Sequence, residues 1–107
     1  RPHDTGMVTM FTQNFSEFDL HARAILDLTI PKIELYKKGV SQVILANKNA
    51  KGKFLIKGIE NAFQDKTIDI RIFGKPETKS YRRMGVILAN NLKKAKEALS
   101  KIKIVNI

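Results

Sequence analysis

At 107 residues the chain has room for one domain, and its 43% hydrophobic residues supply a modest core. Twenty Lys and Arg against ten Asp and Glu leave a formal net charge of +10, which favours anionic partners. There is no cysteine, which excludes disulfides, thiolate metal sites and a cysteine nucleophile, and no apolar run is long enough to cross a bilayer; a reducing cytoplasm fits best.

The chain opens on Arg1-Pro2-His3-Asp4-Thr5-Gly6, with no initiator Met, and so reads as a piece of a longer polypeptide. Gly6 to Thr12 reads as a strand. A helix follows, capped by Asn14 or Ser16; Asn14 and Glu17 have the spacing of a capping box. Its apolar face is Phe18, Ala22, Ile25 and Leu26, at i, i+4, i+7 and i+8. Pro31 stops it and pushes Ile30 towards extended geometry.

Beyond Pro31 the pattern shortens into β segments. Val40–Ala46 and Lys53–Lys57 read as strands joined by a polar turn ending at Gly52. Gly58–Phe63 reads as one helical turn. In Thr67–Phe73, Ile68, Ile70 and Ile72 alternate with Asp69 and Arg71, which places the three isoleucines on a core face. Gly74-Lys75-Pro76 ends that strand, and Met84–Ala89 forms the next. Asn90 or Asn91 caps a last helix with apolar positions Leu92, Ala95, Leu99 and Ile102. Ile104–Ile107 adds an edge strand. The fold class is α+β: a small, mainly antiparallel, barrel-like sheet with two helices.

Most of the positive charge is scattered lysine, as at Lys93-Lys94, Lys96 and Lys101, and no aromatic platform is interleaved with it. That pattern is a solvated surface first and a small basic nucleic-acid-binding domain second. Arg82-Arg83 differs from this background, because guanidinium groups bind phosphate oxygens bidentately whereas lysine acts as a point charge. Neighbouring residues of a strand point to opposite faces, so both arginines reach one phosphate only if the backbone turns there. Lys75 stands at the other end of the same hairpin, and a monophosphate held by Lys75, Arg82 and Arg83 is the sharp reading. At the start, Arg1 and Asp4 flank a proline-restricted turn near Gly6. His3 beside Pro2 reads as a structural hydrogen-bonding residue before a general base. There is no phosphate-binding glycine loop and no pair of carboxylates with metal-binding spacing, so no metal-ligating residue is expected in this chain.

Arg1-Pro2-His3-Asp4-Thr5-Gly6-Met7-Val8-Thr9, then Ser16-Glu17-Phe18 and His21-Ala22-Arg23-Ala24, resembles the end of the ATP-grasp core in the formate-dependent phosphoribosylglycinamide formyltransferases. Arg71-Ile72-Phe73-Gly74-Lys75-Pro76-Glu77 and Arg82-Arg83-Met84-Gly85-Val86 are similar to that family's C-terminal domain. The resemblance implies two parts: residues 1–30 as the strand and helix ending the ATP-grasp domain, and 31–107 as the C-terminal α+β domain. It implies a cytoplasmic, homodimeric enzyme of purine biosynthesis that uses ATP and Mg to formylate glycinamide ribonucleotide with formate through formyl phosphate. Lys75, Arg82 and Arg83 then match positions that hold the ribose phosphate. Asp4 matches a carboxylate near the glycinamide end, and Arg1 a cation beside the transferring acyl phosphate. The family's magnesium and nucleotide contacts precede Arg1, so the rest of the parent chain is the expected partner. By itself this piece is expected to be inactive and to bind neither ATP nor Mg stably, and no membrane or specific nucleic acid is implied.

Overall fold

The computed structural model describes residues 2–107. Three strands form the central antiparallel sheet in the order β1-β6-β4: β1 (Val40–Leu45), β6 (Arg83–Ala89) and β4 (Asp69–Ile72). Two short pairs flank it, β2 (Lys51–Gly52) with β5 (Thr78–Lys79), and β3 (Phe54–Lys57) with β7 (Lys103–Asn106). The described residues therefore form three separate antiparallel sheets, not the barrel-like closure expected from sequence. The strands are too few and too short to wrap on themselves.

Strand β6 is the centre of the molecule, with every residue from Met84 to Ala89 buried. It is paired on both edges and covered on both faces. On one face lies α4 (Leu92–Lys101), whose Ala95 and Ala98 pack with Ile44, Ile70, Ile87 and Ala89. Alanine at those positions lets the helix approach the sheet closely, and the Asn91 side chain accepts from Lys94 N–H to cap its start. Leu92, expected on the apolar face, lies in the exposed first turn instead. Ile68 and Ile70 are buried as the alternation predicts, but Ile72 is 39% exposed. It ends an edge strand opposite Gly85, which offers no side chain to pack against.

The other face of β1 and β6 is covered by the N-terminal segment. Expected as a strand, this segment is helical: a 3₁₀ helix over Asp4–Val8 runs into α1 (Thr9–Thr12). Met7, Met10 and Phe11 have i, i+3, i+4 spacing, and two threonines satisfy carbonyls locally. Thr9 Oγ1 donates to Gly6 O at 2.6 Å and Thr12 Oγ1 to Val8 O at 3.0 Å. These internal bonds, together with packing on the sheet, outweigh the β preference of Val8, Thr9, Phe11 and Thr12.

Helix α2 (Glu17–Ile25) starts at a reciprocal box between Ser16 and Asp19, not between Asn14 and Glu17. Asn14 instead binds the returning chain: its Oδ1 accepts Glu34 N–H at 2.9 Å and its Nδ2 donates to Lys32 O at 2.9 Å. The stretch from α2 to the start of β1 leaves Ile25, Leu26, Leu28, Ile33, Leu35 and Tyr36 exposed. The short helix α3 (Ile59–Ala62) packs against α4. It begins at Gly58 with φ +91°, where the backbone passes beside Lys101 O.

Candidate functional site

An open cleft of about 750 Å³ runs between the N-terminal segment and the β4–β6 end of the sheet. Asp4, Lys75 and Arg83 line it, as do His3, Phe18 and Phe73. Three of the residues singled out from sequence therefore meet, although they come from three separate stretches of chain. Arg1, given the catalytic role by resemblance, lies outside the described residues.

A β-bulge decides where Arg83 points. In the β1–β6 ladder Ile44 pairs with Gly85 but Leu45 pairs with Arg83, so Met84 is one residue extra on β6. Such an insertion reverses the inward–outward alternation of the strand. Met84 thereby joins Ile44 and Ile87 in the core facing α4. Arg83 swings to the opposite face, under the N-terminal segment, and its Nε donates to Asp4 Oδ2 at 2.8 Å. Without the bulge Arg83 would share the face of Ile87 and would be driven into the core.

Arg82 goes elsewhere. Its Nη1 donates to Glu77 O at 3.0 Å, which staples its own loop, and it does not line the cleft. Of Lys75, Arg82 and Arg83, expected together from sequence, the structure places Lys75 and Arg83 on one cleft and Arg82 outside it.

Asp4 is largely enclosed, its side chain 18% exposed. Its Oδ2 is taken by Arg83. Its Oδ1 makes no hydrogen bond and lies 2.6 Å from His3 Nδ1, a contact that is an ion pair when the ring is protonated. In the other tautomer the same Nδ1 accepts Thr5 N–H at 3.3 Å and caps the 3₁₀ helix, and one nitrogen cannot do both at once. Chemically, the cleft offers cations at Lys75 and Arg83 for an anion, a carboxylate acceptor for an N–H donor, and an apolar wall at Met7, Met10, Phe18 and Phe73. The apolar wall was not foreseen from sequence, because Met7 and Met10 share a face only once residues 4–12 are helical.

A family profile described as PurT, C-terminal, matches residues 39–105. The chain belongs to that family. Two named relatives are formate-dependent phosphoribosylglycinamide formyltransferases. The one from Chlorobium phaeobacteroides is 59% identical over 90 residues, 83% of this chain and 23% of the relative. The one from Trichormus variabilis is 51% identical over 110 aligned positions, 97% of this chain and 28% of the relative. The chain thus spans about a quarter of the curated relatives it matches. Among solved structures, N5-carboxyaminoimidazole ribonucleotide synthetase from Thermotoga maritima superposes with a TM-score of 0.91 and 31% identity, over all of this chain and 32% of that one.

Proposed function

We propose that this PurT-family chain is the substrate-phosphate part of an ATP-grasp enzyme that formylates glycinamide ribonucleotide with formate. The observation that carries the reading is the meeting of Lys75, Arg83 and Asp4 in one cleft, in a chain whose relatives bear that enzyme's name. Lys75 and Arg83 take the ribose phosphate, the arginine through its free Nη groups. The Oδ1 of Asp4, which makes no hydrogen bond here, accepts from the amine at the other end of the ligand and orients its lone pair for attack. That nitrogen attacks the carbonyl carbon of formyl phosphate, the carbon–oxygen bond to phosphate breaks, phosphate leaves, and the nitrogen gives up a proton. Arg82, held by Nη1 on Glu77 O, plays the lesser part in the phosphate site. Arg1 is the cation assigned to the acyl phosphate.

ATP and magnesium belong, in this reading, to the remainder of a longer parent. Among the described residues no group of three His, Cys, Asp or Glu is placed to hold a metal ion, so no step here runs through one. Residues 1–30 are the end of the ATP-grasp domain and 31–107 the C-terminal domain. The bare apolar strip from Ile25 to Tyr36 supports a larger neighbour on that side. A cytoplasmic homodimer completes the proposal; no helix among the described residues is long and apolar enough to cross a membrane.

The test is a titration of inorganic phosphate into the 107-residue chain, followed by NMR at the Lys75 and Arg83 side chains. Saturable shifts confined to the cleft, abolished in Arg83→Ala, are expected. Shifts spread over the α4 lysines and removed by modest salt would support the polyanion-binding alternative instead.

A further inference from the structure

Arg82 and the cleft-lining Arg83 follow a turn built on a residue ill suited to it. Lys79 to Arg82 is a four-residue turn closed by Arg82 N–H donating to Lys79 O at 3.0 Å. Its third residue, Tyr81, has φ +55°. A turn of this pattern ordinarily takes glycine or asparagine there, because a Cβ crowds the left-handed conformation. A bulky non-glycine residue held in that region points to an imposed constraint rather than a local preference.

The surroundings supply the constraint. Asn47 O accepts from both Ala50 N–H and Tyr81 N–H, each at 3.2 Å, and Ala46 N–H donates to Arg82 O at 2.9 Å. Thr78, at the start of the turn, is buried, and its Oγ1 donates to Met84 Sδ at 3.4 Å. The Tyr81 ring itself is exposed and takes no part in this bonding. What the position contributes is a backbone direction. It lets Arg82 fold back onto Glu77 O and delivers Arg83 to the bulge that turns it towards Asp4. At the other end of the connection, Gly74 at φ +70° sets the direction of Lys75.

We infer that Tyr81 is a positioning residue of the anion site, acting through its left-handed backbone and not through its ring. This rests on the proposed phosphate role of the cleft. It assigns the geometry of that site to a residue that does not line the cleft.

The experiment compares the wild-type chain with Tyr81→Gly, Tyr81→Asn, Tyr81→Ala and Tyr81→Val. Three quantities are read: the dissociation constant for inorganic phosphate, the exchange protection of the Arg83 Nε–H, and the melting temperature. Glycine and asparagine accept positive φ and are expected to bind within about twofold of wild type. Alanine, which keeps the Cβ of tyrosine and lacks only the ring, is expected to bind within about twofold of wild type, and β-branched valine about tenfold more weakly, with Arg83 Nε–H protection lost in valine alone. If the valine variant does not fold, Tyr81→Thr takes its place; a loss in alanine as large as that in the β-branched variant would mean that the ring acts. Equal affinity and protection across the series would overturn the inference, as would a loss in the glycine and asparagine variants as large as that in valine. A wild-type chain that shows no saturable phosphate binding would overturn the phosphate reading of the cleft, and this inference with it.

Discussion

Asp4 and Arg83 stand 79 positions apart in sequence, yet Arg83 Nε donates to Asp4 Oδ2 across 2.8 Å. The bond joins the N-terminal helical segment to the strand that follows the cationic loop. Arg83 is nearly half exposed, so solvent screens the pair and its contribution to stability is at most about 1 kcal/mol. Its larger effect is on direction, since holding the guanidinium by Nε leaves both Nη groups without a protein hydrogen bond among the described residues.

In a full-length parent, Arg83→Lys is expected to raise the Michaelis constant for glycinamide ribonucleotide roughly tenfold, because a charge-assisted hydrogen bond contributes about 1.5–3 kcal/mol. Arg82→Lys is expected to have a smaller effect, since Nη1 of Arg82 is committed to Glu77 O. The constants for ATP and formate should hardly move. Steady-state kinetics decides; a larger effect at Arg82, or an equal rise for ATP, would mean that Arg83 is not the principal phosphate ligand.

Ile70 and Ile72 sit two residues apart on one strand and should respond differently to the same change. Ile70 is buried in the main core, where a side chain of this kind contributes about 1.5–3 kcal/mol and a charge has no partner. Ile70→Asp should therefore abolish cooperative thermal unfolding. Ile72→Asp should lower the melting temperature only slightly. Comparable melts for the two variants would contradict the burial found here.

Gly58 and Gly74 both have positive φ, but only Gly58 is hemmed in by backbone. A Cβ on Gly58 would collide with Lys101 O, whereas one on Gly74 meets nothing within 4 Å. Gly74→Ala should thus cost about 1 kcal/mol, the conformational penalty alone, and Gly58→Ala clearly more because α3 and the end of α4 must move apart. Chemical denaturation of both variants measures the difference.

Asp65 titrates below the usual carboxylate range. The chief cause is the Thr67 hydroxyl, which donates to its Oδ1 at 2.6 Å; the Thr67 amide adds a second bond, and Lys94 and Lys101 add favourable charge. Because the folded value lies below the unfolded one, this contribution is complete above the unfolded pKa of about 3.9 and fades as pH falls through the folded value. Thr67→Val should move the Asp65 carboxyl titration upward, measured by NMR, and should reduce stability at neutral pH more than in acid. An unmoved titration would mean that the hydroxyl is not the cause.

Local pattern was enough for the elements whose stability is local. The alternation at Ile68 and Ile70, the helical spacing from Ala95 to Ile102 and the cap at Asn91 all declared themselves, because a period of 2 or 3.6 and a side chain bonding its own backbone are short-range facts. The family was equally legible, carried by Arg71–Glu77 and Arg82–Val86. The helical state of residues 4–12 was not, since the propensities of Val8, Thr9 and Phe11 favour a strand and only contact with β1 and β6 reverses that preference. Nor could sequence separate Arg82 from Arg83. Strand alternation predicts that two adjacent arginines diverge, but which one meets Lys75 and Asp4 depends on a single unpaired residue at Met84, and a bulge exists only once two strands have set their register. Residue types and spacing thus determined which charged groups this chain carries, whereas strand pairing across the sheet decided which of them arrive in the cleft.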